Sequence, residues 1–319
     1  MIDILASASR TLRIERDSIG GLIEQLDASF TAAVLAIHES NGRVVITGIG
    51  KSANISQKIV ATLNSTGTPA IFMHAADAIH GDLGNVQKDD VVICISNSGN
   101  TEEIKALVPL IKQLKNPLVA ITGNVDSFLG RESDYCLNAA IEQEACPNNL
   151  APTSSTTAQL ALGDAIAVCL LELKDFGAED FARFHPGGSL GKKLYTTVAD
   201  LIKDQKAPSV QKNQTVEEAI IEISAKRLGA CAVLENQELL GIITDGDLRR
   251  ILEKEHDFRQ LKASEIMSSN PKSITSVELA SKAMELMEMN SISQLVVTED
   301  GRFVGMIHLH DILREGIGS

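Results

Sequence analysis

The sequence has no tryptophan, and only 3% of its 319 residues are aromatic. Proteins that bind single-stranded nucleic acid stack bases on aromatic side chains, so this composition does not favour such a surface. The net charge of −13 also argues against non-specific binding to nucleic acid or to an anionic membrane. A small anionic substrate is still compatible with this charge, because it needs only local positive charge.

Long apolar runs and paired cysteines are also missing. The five cysteines are far apart and form no CxxC motif, which predicts a reduced compartment and no zinc site. No apolar run approaches the roughly 20 residues of a membrane-spanning helix. The first 16 residues mix acids and arginines in an amphipathic pattern and do not resemble a signal peptide. We therefore expect a cytoplasmic protein with no membrane segment.

Short apolar runs alternate with helical patterns along the first half of the chain. Residues 1–41 have helical periodicity, and strands are predicted at 43–46, 69–73, 90–94, 117–121 and 134–140. Strands that alternate with helices through short glycine-rich turns form a parallel sheet that is covered on both faces. The predicted fold is a doubly wound α/β sheet of five strands, with ligands bound beyond the carboxyl ends of the strands.

The polar stretch at 96–101 (Ser-Asn-Ser-Gly-Asn-Thr) lies between the third strand and a helical pattern. Gly99 can take a positive φ, and Thr101 can cap the helix. The hydroxyls of Ser96, Ser98 and Thr101 would meet at a helix N-terminus, where the helix dipole favours an anion. The stretch therefore predicts a phosphate site; the alternative is an ordinary capped turn.

A second glycine-rich turn, Gly48-Ile-Gly-Lys-Ser-Ala53, follows the first strand. It is not a P-loop, because that motif needs glycine where Val45 stands. A dinucleotide site is disfavoured, since no acidic residue ends the following strand. The favoured interpretation is that Lys51 and Ser52 bind the same phosphorylated ligand as the 96–101 stretch, and the alternative is a solvated lysine after a tight turn.

The last third of the chain contains an internal repeat. The sequence pattern of residues 241–250 recurs at 305–314, 64 positions later, and that of residues 215–219 recurs at 276–280. Two copies of one β-α-β-β-α unit predict a pseudo-twofold pair that forms a second domain.

Six short motifs occur in order, at 48–52, 80–84, 96–99, 144–147, 150–156 and 185–188. With the repeat, they make the chain resemble the arabinose-5-phosphate isomerase family, in which a flavodoxin-like sugar-isomerase (SIS) domain precedes a tandem CBS pair. The resemblance implies a SIS domain at 1–197 and a CBS module at 198–319, with repeats at about 198–257 and 262–319. It also implies interconversion of D-ribulose 5-phosphate and D-arabinose 5-phosphate, the first step of Kdo and lipopolysaccharide synthesis. A homotetramer with active sites shared between subunits is implied as well, and no cofactor.

The functional positions of the family fall on five residues of this sequence: Lys51, His80, Glu103, Glu144 and His185. Isomerisation through an enediol needs a base to move a proton and donors for the charge on two oxygens. Glu144 is the expected base, because its apolar neighbours could raise its pKa by desolvation.

Each of the other family positions has more than one possible role. Glu103 binds substrate or complements the helix dipole, and His185 relays protons for ring opening or is a structural hinge. His80 could bind a sugar hydroxyl. The hydroxyls at 153–156 are expected to cap the long helix that follows and to touch substrate. The histidines show no ligand spacing with carboxylates, so catalysis without a metal is expected.

In the repeat, Thr244 and Asp247 resemble the [ST]xxD signature with which CBS modules bind a nucleotide. The second copy keeps Asp311 but has His308 in place of threonine, so an equivalent second site is not expected. The alternative is a purely structural module.

Two other functions compete with the isomerase. A sugar-phosphate sensor would have a basic DNA-recognition helix, and none is visible in the first 41 residues. An isomerase for another phosphosugar is the nearest rival within enzymes.

Overall fold

A computed structural model describes residues 2–253 and 257–318. The chain divides into two compact units, Met1–Phe181 and Ala182–Ser319. The domain boundary expected after residue 197 stays a prediction.

The first unit contains five strands: β1 Val44–Gly48, β2 Ala70–His74, β3 Val91–Ile95, β4 Leu118–Thr122 and β5 Tyr135–Asn138. They form one sheet in the order β2-β1-β3-β4-β5, and every pairing is parallel. Alternate residues of β1 enter different apolar clusters, Val44 and Ile46 on one face and Val45 on the other. Both faces are therefore covered, which confirms the doubly wound fold, with the strand order of flavodoxin-like sheets.

The helices of this part of the chain are α1 Ile4–Gln25, α2 Ala28–Glu39, α3 Lys51–Ser65, α4 Ala75–Ala78, α5 Glu102–Leu114, α6 Phe128–Glu132, α7 Ser154–Leu173 and α8 Ala178–Phe184. The single helix expected over residues 1–41 is wrong, because the chain bends by 84° between α1 and α2. The carboxylate of Asp27 accepts the backbone N–H groups of Ser29 and Phe30 at 2.8 and 3.3 Å and so starts a new helix.

Helix α7 is long and apolar enough to cross a membrane by length and composition alone. Its apolar side chains instead form part of the core of the first unit, where Leu162, Ile166 and Leu170 are at most 3% exposed. Its apolar character is thus explained by packing.

The second unit contains the repeat. Its helices are α9 Ser189–Tyr195, α10 Val198–Ile202, α11 Val216–Lys226, α12 Asp245–Leu252, α13 Ala263–Ile266, α14 Ala280–Asn290 and α15 Leu309–Arg314. Its strands are β6 Ser209–Gln211, β7 Ala230–Glu235, β8 Glu238–Thr244, β9 Ser268–Ser269, β10 Ser273–Thr275, β11 Gln294–Glu299 and β12 Arg302–His308. Each copy has the expected β-α-β-β-α order. Strands β12 and β8 pair antiparallel and join the copies into one sheet, in the order β10-β11-β12-β8-β7-β6.

Candidate functional site

A pocket of about 240 Å³ opens at the carboxyl ends of β1 and β3. The strand order reverses here, because β1 pairs with β2 on one side and with β3 on the other. Loops that leave neighbouring strands at such a point form a crevice, where ligands of doubly wound folds bind. The pocket is lined by Ile49, Lys51, Ser52, Ser96, Asn97, Ser98, Thr101, Pro152, Ser155, Thr156 and Gln159. Lys51 is the only charged residue among them, so the pocket favours an anion.

The loop from Ser96 to Thr101 forms one wall of the pocket. Gly99 has a φ of +64°, as expected, and its N–H donates to the Ser96 hydroxyl at 3.2 Å. Thr101 stands at the N-cap of α5, but its side chain makes no capping hydrogen bond. The expected cap is therefore wrong. The Thr101 hydroxyl is buried and has no partner among the described residues, so it is available to a ligand.

The start of α3 forms the opposite wall. Gly50, with a φ of +59°, precedes the helix, and Lys51 and Ser52 are its first two residues. The Ser52 hydroxyl donates to Oε1 of Gln159 on α7 at 3.1 Å. Sequence reasoning missed Gln159; its position one turn after Ser155 on the same helix face was the available signal.

Glu144 lies directly behind the pocket wall and is not itself a lining residue. Its carboxylate accepts the backbone N–H of Thr153 at 2.7 Å, the backbone N–H of Ser155 at 3.2 Å and the hydroxyls of both residues. Thr153 makes no side-chain cap, so Glu144 caps α7 and the expected hydroxyl cap is wrong.

These hydrogen bonds also change the acidity of Glu144. Burial raises its pKa, but the hydrogen bonds from Ser155 and Thr153 together outweigh burial and hold the pKa below its ordinary value. The expectation of a raised pKa is therefore wrong, because the hydrogen bonds to the carboxylate outweigh its desolvation.

The remaining candidate residues lie outside the lining of this pocket. Glu103 is half-buried in the first turn of α5, and His80 is exposed in the loop after α4. His185 belongs to the second unit, where its N–H donates to the Ala182 carbonyl at 3.1 Å. The roles of all three stay predictions.

In the first copy of the repeat, the candidate nucleotide residues already bond to each other. Thr244 and Asp247 form a capping box at the start of α12. The Asp247 carboxylate also accepts from Ser268 Oγ at 3.1 Å and pairs with Arg250. Burial raises the pKa of Asp247, but the bonds from Thr244, Arg250 and Ser268 hold it below its ordinary value.

A larger pocket of about 530 Å³ is lined by residues of both copies, and it includes the second copy's motif, which departs from the signature. Its lining carries four permanent cations, two histidines and one acid: Lys206, Lys226, Arg227, Arg314, His308, His310 and Asp311. The imidazole rings of His308 and His310 stack with centroids 4.9 Å apart. This arrangement suits a polyanion better than the capping box of Thr244 and Asp247 does, because that box is already satisfied by internal hydrogen bonds.

Comparisons with known proteins agree with this architecture. The model of the SIS domain matches residues 36–169, and the model of the CBS domain matches residues 198–254 and 263–318.

Two curated relatives are named arabinose 5-phosphate isomerase KdsD. The Pseudomonas aeruginosa protein is 46% identical over 99% of this chain and 98% of its own length. The Escherichia coli K12 protein is 42% identical over 99% and 97%. The structure of E. coli CFT073 c3406 in complex with arabinose 5-phosphate covers 58% of this chain and 98% of its own, at 40% identity and a TM-score of 0.56. The chain therefore belongs to the arabinose 5-phosphate isomerase family, with a SIS domain followed by two CBS domains.

Proposed function

We propose that this protein interconverts D-ribulose 5-phosphate and D-arabinose 5-phosphate. The observation that carries the proposal is the pocket between β1 and β3, which offers hydroxyls and one lysine and no acidic side chain. Such a pocket suits the phosphoryl end of a sugar phosphate. The relatives named arabinose 5-phosphate isomerase, which match the whole chain, favour this substrate over the sensor and over other phosphosugars.

In the proposed reaction the phosphoryl group binds the loop 96–101 and the start of α3. A base removes a proton from C1 of the ketose, a proton moves from O1 to O2 through the enediol, and the base returns a proton to C2 to give the aldose. Hydrogen-bond donors near O1 and O2 stabilise the charge that develops on them, and Lys51 supplies the positive charge among the lining residues.

We propose Glu144 as the base, because its carboxylate contacts Ser155, which lines the pocket. The lowered pKa keeps Glu144 in the ionised form that a base needs, and it makes the carboxylate a weaker proton acceptor than a desolvated one. Displacement of one of its hydroxyl donors by substrate would make the carboxylate a stronger proton acceptor. Ring opening is assigned to His185, and contacts with sugar hydroxyls to Glu103 and His80.

The test is incubation of the purified chain with D-ribulose 5-phosphate in deuterium oxide, followed by identification of the product. The proposal predicts D-arabinose 5-phosphate that carries deuterium at C2. A different aldose would support another phosphosugar isomerase, and binding without turnover would support the sensor.

A homotetramer with shared active sites is also proposed. Helix α1 and the residues beside it expose large apolar side chains: Ile2, Ile4, Leu5, Leu12 and Ile23 are 67–83% exposed. A second copy of the chain is the proposed cover of this face. Sedimentation equilibrium would test the state, and a monomer at micromolar concentration would contradict it.

The proposed place of action is the cytoplasm, in the first step of Kdo and lipopolysaccharide synthesis. All five cysteines are free in the structure, which fits a reducing compartment. Catalysis without metal or cofactor stays part of the proposal, and activity that survives exhaustive chelation would support it.

A nucleotide or nucleotide-sugar regulator is proposed for the CBS pair. The cationic pocket around His308 and Asp311 supports this second candidate function. Calorimetry of the full chain with ATP, AMP and CMP-Kdo tests it, and absence of heat with all three would leave the module a structural one.

A further inference from the structure

We propose that Gln159 is a substrate-positioning residue whose side-chain amide donates to the phosphoryl group, and that Ser52 acts by orienting it. This inference deepens the proposed function and rests on the same pocket. It starts from α7, where Ser155 and Gln159 are one turn apart and both line the pocket. Gln159 is fully buried, which is unusual for a glutamine.

The hydrogen bond with Ser52 fixes the orientation of the amide. The Ser52 hydroxyl donates to Oε1 of Gln159 at 3.1 Å. Nε2 therefore lies on the other side of the amide, with two hydrogens to donate. This nitrogen is buried and has no hydrogen-bond partner among the described residues.

A buried donor without a partner is unfavourable, and native proteins rarely keep one without a reason. The wall across the pocket carries a second such atom, since Thr101 Oγ1 is also buried and unpartnered. Two unsatisfied polar atoms in the lining of one anion-favouring pocket indicate a ligand with several acceptor oxygens. A phosphoryl group meets this requirement, whereas an apolar ligand would leave both atoms unsatisfied.

The role of Ser52 changes accordingly. Its single hydroxyl proton is used on Gln159, so its oxygen offers only lone pairs to the pocket. Lone pairs repel a phosphate dianion. Ser52 therefore contributes to binding through Gln159 and not as a direct donor.

The test compares Gln159→Met, which keeps the length and removes the amide, with Ser52→Ala and the double variant. For Gln159→Met we expect KM for D-arabinose 5-phosphate to rise about 10-fold or more, the size of one hydrogen bond to a charged group. The inhibition constant of inorganic phosphate should rise in parallel, and kcat should change less than about 3-fold.

Gln159→Glu, which places a carboxylate at the same position, should weaken phosphate binding further than Gln159→Met does. The double variant separates direct from indirect action of Ser52. If Ser52 acts through Gln159, Ser52→Ala adds nothing in the Gln159→Met background; additive effects would overturn that part.

Stability measurements distinguish positioning from a structural role. Without ligand, the Tm of Gln159→Met should stay close to that of the wild type, because removal of the unsatisfied Nε2 donor offsets loss of the hydrogen bond from Ser52. The rise in Tm caused by inorganic phosphate should shrink. A large fall in the Tm of the free protein, with the phosphate effect intact, would assign Gln159 to the core.

The matched control is Gln25→Met in α1. The side-chain amide of Gln25 donates to the Ala140 carbonyl at 3.1 Å, outside this pocket. It should leave KM and the phosphate constant unchanged. A Gln159→Met variant with both constants within about 2-fold of wild type would overturn the inference. The rise in Tm caused by inorganic phosphate does not require turnover. A protein that binds phosphate through Gln159 but isomerises nothing would therefore refute only the proposed function.

Discussion

The carboxylate of Glu144 accepts the backbone N–H of Ser155 at 3.2 Å and also its hydroxyl. One side chain thereby caps α7 and contacts a residue of the pocket wall. The loop that carries Glu144 and the helix that carries Gln159 are thus fixed to each other, and the capping role and the proposed chemical role share one carboxylate.

Glu144→Gln should lower both stability and activity. The amide keeps the size of the side chain but loses the negative charge at the helix N-terminus, so the free energy of unfolding should fall by about 1 kcal/mol. Exchange of substrate hydrogen with deuterium oxide should fall by at least about 100-fold, as NMR of the product would measure. If exchange is retained, the base is not Glu144 and would be reassigned to Glu103 or His185.

Glu144 should also make the stability of the folded protein depend on pH. Because the pKa of Glu144 is lower in the folded protein than its ordinary value, its contribution is fully present above that ordinary value. The contribution is lost as the pH falls through the lowered pKa. The difference in Tm between wild type and Glu144→Gln should therefore be constant from pH 7 to about 5 and shrink below about pH 4.5. A difference that grows with acidity would contradict the assignment.

A second carboxylate, that of Asp90, is buried just before β3. Asp90 is 1% exposed, and its side chain accepts the backbone N–H of Arg43 at 2.8 Å, the backbone N–H of Gln87 at 2.9 Å and the Arg43 guanidinium at 3.0 Å. Burial raises its pKa, but the bonds from Arg43 and Gln87 hold it below the ordinary value. Asp90→Asn should lower the free energy of unfolding by about 2 kcal/mol in urea denaturation, because one carboxylate oxygen is replaced by an amide that cannot accept these hydrogen bonds.

The control for Asp90 is Asp164, which pairs with Lys58 on the surface and has a side chain that is 42% exposed. Asp164→Asn should change stability by less than about 1 kcal/mol. Equal effects of the two substitutions would show that burial does not set the strength of these pairs.

Binding of a polyanion at the CBS pair should depend on pH. Burial and the neighbouring His310 lower the pKa of His308, while the nearby Asp311 acts in the opposite direction. A bound nucleotide would favour protonated His308, so its affinity should rise several-fold from pH 8 to pH 6. Calorimetry with ATP at both values measures this.

His308→Gln should flatten that pH dependence. Glutamine keeps a hydrogen-bonding side chain but cannot take up the proton of an imidazole, so the variant removes the titration of His308 from the pocket. A pH dependence that survives His308→Gln would assign the effect to His310 or to the nucleotide itself.

The sequence predicted those parts of the site that follow from local patterns. The two glycine-rich turns could be placed because each follows a β-branched run and precedes a helical period, and Gly99 adopts the predicted positive φ. The meeting of the two turns then followed from the order of a doubly wound sheet.

What could not be predicted depends on contacts between distant residues. The Glu144 cap joins a loop to a helix whose N-cap residue lies nine residues later, and no periodic pattern predicts such a contact; local sequence favours the hydroxyls at 153–156 as caps instead. Gln159 and Ser52 are far apart in sequence, and only the packing of α7 on α3 brings their side chains together. The break at Asp27 could not be predicted from the apolar pattern, which continues on both sides of it; the structure shows the Asp27 carboxylate capping a new helix there.

The most direct test of the account is a crystal structure of the wild-type chain with D-arabinose 5-phosphate bound. The account predicts the phosphoryl group between β1 and β3, with its oxygens within about 3 Å of the Ser98 and Thr101 hydroxyls and of Gln159 Nε2. A phosphoryl group bound elsewhere, with Thr101 and Gln159 still without partners, would contradict it.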